Sequence, residues 1–225
     1  MKHKTKMKEY PILFSTQMVR AILDGTKTQT RRPIPVMPKE NQSIHHIEEI
    51  DKYCFVTKHE NGKVSGISEY FRRPYNVGDR LWVRETYRPI DGQTGELISV
   101  DYKADPPEKW ERLGDVVGTP VKWRPSIHMP RWASRLTLEV KAIRAEPLHD
   151  ISDKDAMKEG IYRSLGPDPE IPYPLAMDWE GNEKVLMPGI ARTDFAMAWR
   201  SIYPSGPKSW DAAPWVWVID FEVVK

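Results

Sequence analysis

The sequence predicts an α+β domain, built as a small mixed β-barrel that is flanked by two or three short helices. Several segments alternate apolar and polar residues as half-buried strands do, whereas the segments with a helical pattern are short. The 20 prolines interrupt long elements. Strands and helices do not alternate regularly, and no glycine-rich phosphate loop follows a strand, so a parallel βαβ fold is disfavoured.

The amino-terminal elements are a strand over residues 11–14 and a helix. Ser15 or Thr16 can cap this helix, and Gly25 ends it. Its predicted buried stripe comprises Met18, Val19, Ile22 and Leu23. Lys27 to Arg32 then forms a strongly basic exit from the helix.

Two central strands are predicted, after Gly78 and over residues 135–142. In the first, Leu81, Val83, Glu85 and Tyr87 share one face, and Trp82, Arg84, Thr86 and Arg88 share the other. Glu85 is therefore a carboxylate among apolar neighbours and needs a partner or a function. A salt bridge to an arginine is favoured over a hydrogen bond to a base amino group in the cleft.

The carboxyl-terminal part predicts a short helix that Ser152 caps and Gly160 closes, with Glu159 at its carboxyl end. A second helix is predicted with Thr193 as its cap, before a terminal strand over residues 215–223 with an aromatic inner face. We interpret residues 1–225 as one domain, with insertions over residues 33–76 and 162–190.

Composition limits the function classes. The 34 basic and 32 acidic residues nearly cancel, so a site for a polyanion depends on local clusters. A single cysteine, Cys54, leaves no internal disulfide and fits a reducing, cytoplasmic location. No signal core or membrane span is expected, and the six scattered histidines predict no metal site. We expect no cofactor.

Four segments, taken in order, resemble the ASCH family of the PUA-like superfamily. They are Gly25-Thr26-Lys27-Thr28-Gln29-Thr30-Arg31-Arg32, Gly78-Asp79-Arg80-Leu81-Trp82-Val83, Ala156-Met157-Lys158-Glu159-Gly160 and the aromatic terminal strand. The similarity is greatest to the larger ASCH proteins of phages and prophages. It implies a PUA-like barrel and a ligand that is RNA or a modified nucleoside.

The resemblance also implies a catalytic set. Some small ASCH proteins are amidohydrolases that deacylate N4-acetylcytidine with a lysine, a threonine three residues later and a distant glutamate, and Lys27, Thr30 and Glu159 occupy these positions. Thr30 would be the nucleophile, Lys27 its base and Glu159 the proton donor to the leaving amine. The cations Arg31 and Arg32 would lower the pKa of Lys27 and contact the substrate.

Strand geometry sets a condition on this set, because residues three apart on a regular strand point to opposite faces. We therefore predict that Lys27 lies in the turn after Gly25, outside the strand that contains Thr30. In the alternative interpretation, Lys27, Arg31 and Arg32 form a solvated basic edge and Glu159 is an exposed acid at a helix end.

A second basic segment, residues 122–135, interleaves cations and aromatics as nucleic-acid grooves do. Its candidate contacts are His128, Arg131, Trp132 and Arg135, to which Trp82, Arg84 and Glu85 of the central strand are added. For Trp132 a place in the core is favoured over base stacking, and for His128 a structural hydrogen bond is favoured over catalysis.

Three functions remain open from the sequence. The first is a cleft that recognises a nucleobase and hydrolyses an amide on N4-acylated cytosine. The second is a non-catalytic reader of RNA or modified DNA, and the third is a ribonuclease that uses the same cationic cleft.

Overall fold

The computed structural model describes residues 7–35, 42–47, 52–59, 63–67, 70–91, 97–106, 108–110, 122–160 and 190–224. The predicted insertion over residues 162–190 lies outside the described residues, except for its last residue. The strands are β1 (Glu9–Leu13), β2 (Gln29–Pro33), β3 (Gln42–Ile47), β4 (Lys52–Lys58), β5 (Val64–Ile67), β6 (Arg80–Arg84), β7 (Tyr87–Asp91), β8 (Leu97–Tyr102), β9 (Thr137–Pro147) and β10 (Trp215–Val223). The helices are α1 (Thr16–Leu23), α2 (Asp153–Lys158) and α3 (Ile190–Ile202).

The main sheet has five strands in the order β1-β6-β9-β10-β2. Strand β1 pairs with β6 in parallel, and the other neighbours are antiparallel. Strands β3, β4 and β5 form a second sheet, which accounts for much of the predicted insertion over residues 33–76, and β7 and β8 form a two-stranded ribbon. These elements confirm the α+β class.

The predicted closed barrel is not found among the described strands. Closure would require β1 to pair with β2, but these two strands are the outer strands of the sheet. The side chain of Arg32 takes the place of a main-chain partner, because its Nη2 donates to the carbonyl oxygen of Leu13 at 2.7 Å. The sheet is therefore open at the β2 edge, and this edge borders the site described below.

Strand β10 is buried on both faces because the sheet packs against two layers. Trp217, Ile219 and Phe221 lie in the larger apolar core, which α1 and the inner side of β6 complete. Val216 and Val218 face the other way, into a second core formed with α2 and α3. The predicted inner face is thus right, although Val223 at its end is 47% exposed.

Most of the helix ends predicted from the sequence are correct. The hydroxyls of Ser15 and Ser152 accept hydrogen bonds from the backbone at the starts of α1 and α2, and Gly160 has the positive φ of a helix end. Thr193 is not the cap of α3, because this helix already includes Ile190. Ala191 is 4% exposed in the second core, so apolar packing extends the helix beyond the residue with the best capping side chain.

Among the described residues, no helix combines the length and apolar character that crossing a membrane requires.

Candidate functional site

A cleft opens at the β2 edge of the main sheet, between α1 and α3. Thr30, Arg31 and Arg32 of β2 form one wall, and Glu159 joins them from the end of α2. The opposite wall is largely apolar and consists of Met18, Phe195, Ala198, Trp199, Ile202 and Tyr203. The cleft has a volume of about 30 Å³, and Ile202 in its lining is 49% exposed.

A buried ion pair joins Lys27 to Glu159 at the base of this cleft. Lys27 Nζ lies 2.8 Å from Glu159 Oε2, 2.8 Å from the Glu159 carbonyl oxygen and 2.9 Å from the Gln29 carbonyl oxygen. The two residues also form an isolated antiparallel backbone bridge. Their exposed fractions are 1% and 3%, so neither is a solvated surface charge.

Arg31 holds the other oxygen of the same carboxylate. Its Nη1 lies 3.1 Å from Glu159 Oε1 and its Nη2 lies 2.7 Å from Glu146 Oε1. Arg31 Nε is buried and has no hydrogen-bond partner among the described residues. Although Arg31 lines the cleft, its side chain has an exposed fraction of 0%, so this N–H is not open to a ligand in this arrangement.

Thr30 lies on the floor of the cleft, with an exposed fraction of 1%. As predicted, Lys27 precedes β2 and lies outside the strand that contains Thr30. Thr30 and Arg32 share one face of β2, and the charged ends of Lys27 and Arg32 lie 5.6 and 5.2 Å from the centroid of the Phe14 ring. The Lys27 ammonium is therefore on the Thr30 side of the strand, and it hydrogen-bonds the peptide group that links Gln29 to Thr30.

Burial lowers the pKa of Lys27 from its ordinary value of 10.5, and the charges of Arg32 and Arg31 lower it further, against the opposing effect of Glu159. The lysine is thereby brought closer to the neutral form that a general base requires.

Gly160 allows Lys27 to approach the end of α2. A Cβ at this position would lie 2.7 Å from the Cβ atoms of both Ala21 and Lys27, and its φ is +72°. We expect Gly160→Ala to lower the free energy of unfolding by roughly 2–5 kcal/mol, through left-handed backbone strain and overpacking together. Urea denaturation measures this change.

Gly25→Ala is the matched control for this prediction. Its φ is also +72°, but a Cβ there would meet nothing within 4 Å. Only backbone strain is expected, of about 1–2 kcal/mol. Equal losses in the two variants would contradict the close packing of Gly160 on Lys27.

Glu85 and Arg135, two predicted substrate contacts, are not in this cleft. Arg135 Nε and Nη2 lie 3.0 and 3.1 Å from the two oxygens of Glu85, and Arg135 Nη1 lies 2.6 Å from Asp105 Oδ1. Burial raises the pKa of Glu85, and the Arg135 guanidinium opposes this rise. The favoured prediction of a salt bridge for Glu85 is confirmed, and its partner is Arg135.

The other predicted contacts lie on the outer side of β6. Trp82 is half-buried there, with the guanidinium carbons of Arg84 and Arg131 at 5.4 and 5.9 Å from its ring centroid. Trp132 is 60% exposed, so the prediction of a core position was wrong. His128 is exposed, and its carbonyl oxygen accepts a hydrogen bond from the Tyr87 hydroxyl.

Sequence reasoning missed the aromatic wall of the cleft and the role of Glu146. Phe195 and Trp199 of α3 are both buried, and they also border the cleft. Glu146 is in β9, and no local pattern links it to Arg31, 115 residues away. Only the opposite charge of the two side chains was visible in the sequence.

Within the described ranges, no cluster of three or more histidine, cysteine, aspartate or glutamate side chains is arranged to hold a metal ion. Comparison with models of protein families, with curated proteins and with solved structures found no match to this chain. The geometry of the cleft is accordingly the basis for the function proposed next.

Proposed function

We propose that this chain is an ASCH-like amidohydrolase whose cleft binds an N4-acylated cytosine and removes the acyl group. The observation that carries the proposal is the buried Lys27–Glu159 pair, whose Glu159 lines the same cleft as Thr30, with a largely apolar wall opposite. A buried lysine with a lowered pKa, paired with a carboxyl group that shares a cleft with a hydroxyl group, is a combination suited to acyl transfer.

The ion pair supplies the proton transfers that the reaction needs. The 2.8 Å contact lets the proton of Lys27 pass to Glu159, which leaves a neutral amine and a neutral carboxylic acid. Lys27 then accepts the proton of the Thr30 hydroxyl as the oxygen attacks the acyl carbon. Glu159 donates its proton to N4 as the C–N bond breaks, and cytidine leaves.

Water completes the cycle. It attacks the acyl ester on Thr30 and gives a proton to the Glu159 carboxylate, while Lys27 returns a proton to the departing Thr30 oxygen. The acid product leaves, and the pair again holds one proton.

The direct test is to incubate the purified chain with N4-acetylcytidine and to follow the ultraviolet spectrum, with chromatography to identify cytidine. We expect stoichiometric release of cytidine and acetate at a rate proportional to the concentration of the chain. A cleft that binds the nucleoside but never converts it would contradict the proposed hydrolysis.

The pH profile is a separate prediction. The active pair holds a single proton, as Lys27 ammonium with Glu159 carboxylate or as neutral Lys27 with neutral Glu159, so kcat/KM falls once this proton is lost. Burial lowers the pKa of Lys27 below the ordinary 10.5, so we expect the fall to begin well before an unperturbed lysine would titrate. A kcat/KM that rises steadily to pH values around 10.5 would contradict a reaction that needs the shared proton.

A second candidate is a non-catalytic reader of a modified base. The observation that favours it is the saturation of the Lys27 ammonium, whose three hydrogens have three oxygen acceptors at 2.8–2.9 Å. In a reader, the pair only holds the β2 edge in place. Tight binding of N4-acetylcytidine without turnover would support the reader over the hydrolase.

A further inference from the structure

A strip of aromatic, cationic and aliphatic side chains lies on the outer side of the main sheet. We name it the Trp82 strip and define it by Leu13, Trp82, Arg84, Arg131 and Trp132. Leu13 and Arg84 are register partners in the parallel pair β1–β6, and Trp82 shares the face of Arg84. Arg131 and Trp132 belong to a short 3₁₀ turn.

The aromatic members offer stacking surface to solvent. Trp132 is 60% exposed, which is uncommon for so large an apolar side chain in a chain that buries Trp199 and Trp217. The guanidinium carbons of Arg84 and Arg131 lie 5.4 and 5.9 Å from the centroid of the Trp82 ring. One exposed and one half-buried indole beside arginines match the base faces and phosphates of a single strand.

The cationic members keep charge available for a polyanion. Arg84 donates to the carbonyl oxygens of Ile127 and Met129, and among the described residues it lies within ion-pair distance of no carboxylate. Arg131 pairs with Glu9, but both side chains are more than 40% exposed. Such surface pairs are worth at most about 1 kcal/mol, so a phosphate can compete with Glu9.

The strip is continuous with the cleft through Leu13. Arg84 is the register partner of Leu13 on one side, and Arg32, which lines the cleft, binds the Leu13 carbonyl oxygen at 2.7 Å on the other. Arg32, like Arg84, faces no carboxylate within ion-pair distance in the part of the chain that the structure describes. The guanidiniums of Arg84 and Arg32 thus lie between the two tryptophans of the strip and the mouth of the cleft.

We infer that the Trp82 strip binds a single-stranded polynucleotide and delivers one of its bases to the cleft, so that the substrate is a base within a polymer. This inference rests on the proposed function for the identity of the target base. The strip itself requires only bases and phosphates, which RNA and DNA both supply.

Binding is tested by fluorescence anisotropy with labelled single-stranded RNA and DNA of one sequence, and with the corresponding duplex. We expect the chain to bind at least one single strand more tightly than the duplex, with an affinity that falls as salt rises. Trp132→Ala should weaken binding by roughly 5- to 150-fold, the range expected for loss of one stacked base. Arg131→Gln should make the slope of log K against log salt concentration shallower by about one, the contribution of one phosphate contact.

Tyr70→Ala is the matched control, because Tyr70 is also an exposed aromatic with a cation, Lys52, 5.4 Å from its ring centroid, but it lies outside the strip. It should bind as the wild type does. The inference would be overturned by equal losses of affinity in both variants or by tighter binding to the duplex. It would also be overturned if polyglutamate, which has charge but no bases, were bound as tightly as nucleic acid.

The binding assay needs no turnover, so it separates the two proposals. If the chain hydrolyses free N4-acetylcytidine but binds no single strand, the polymer inference fails alone. If it binds single strands through Trp132 but hydrolyses no acylated cytosine, the strip stands and the proposed reaction fails.

Discussion

Glu159→Ala is expected to lower the free energy of unfolding by about 3–5 kcal/mol, the usual effect of leaving a buried charge without its partner. Glu159 is 3% exposed and binds both Lys27 and Arg31, so its removal withdraws one carboxylate from two buried cations. The loss is a large fraction of the stability of a typical domain. Urea denaturation monitored by tryptophan fluorescence measures it.

Lys27→Met provides the comparison. It removes the ammonium but leaves Glu159 paired with Arg31, so we expect a smaller loss, of roughly 1–3 kcal/mol. In the Lys27→Met background, Glu159→Ala should then be less destabilising than it is in the wild type, because one of the stranded cations is gone. A larger loss for Lys27→Met than for Glu159→Ala would contradict the shared carboxylate.

Thr30→Val is expected to reduce the hydrolysis of N4-acetylcytidine by a factor of about 10³ or more, because it removes the attacking oxygen and leaves only binding and electrostatic contributions. Valine has nearly the shape of threonine and a strong strand preference, and Thr30 of the outer strand β2 pairs with Ile219 of β10. The fold should therefore persist. Progress curves and a thermal melt, recorded on the same preparation, separate chemistry from stability.

Thr30→Ser is the control that keeps the hydroxyl. It should retain measurable turnover, whereas the valine variant should not. If the valine variant works as well as the serine variant, the Thr30 hydroxyl is not the nucleophile, and a water molecule activated by the Lys27–Glu159 pair becomes the simpler account.

The sequence predicts well those parts of the fold that depend on interactions between residues close together in the chain. The alternation around Leu81 and Val83, the serine caps at Ser15 and Ser152, and the helix end at Gly160 each depend on residues within a few positions of each other. Closure of the barrel is a global property of the sheet. The prediction of a barrel was wrong because β1 and β2 remain outer strands, and the Leu13 carbonyl oxygen accepts a hydrogen bond from the Arg32 side chain.

The candidate site follows the same rule. The turn before β2 could be predicted, since Gly25 ends α1 and a strand cannot hold Lys27 and Thr30 on one face. The burial of Arg31 could not, because its acidic partner Glu159 is 128 residues away and its neighbours in sequence read as a basic surface. Trp132 was misplaced for a similar reason, because tertiary packing decides which tryptophans are exposed.

The central claim is that Thr30 attacks the acyl group with the help of the Lys27–Glu159 pair. The most direct measurement is to quench a reaction with N4-acetylcytidine before the first turnover is complete. The chain is then digested, and the mass of the peptide that contains Thr30 is measured by mass spectrometry. The account predicts one acetyl group on Thr30, which disappears as acetate is released. Cytidine release with no acetylated peptide at any time, at a rate that Thr30→Val does not change, would contradict it.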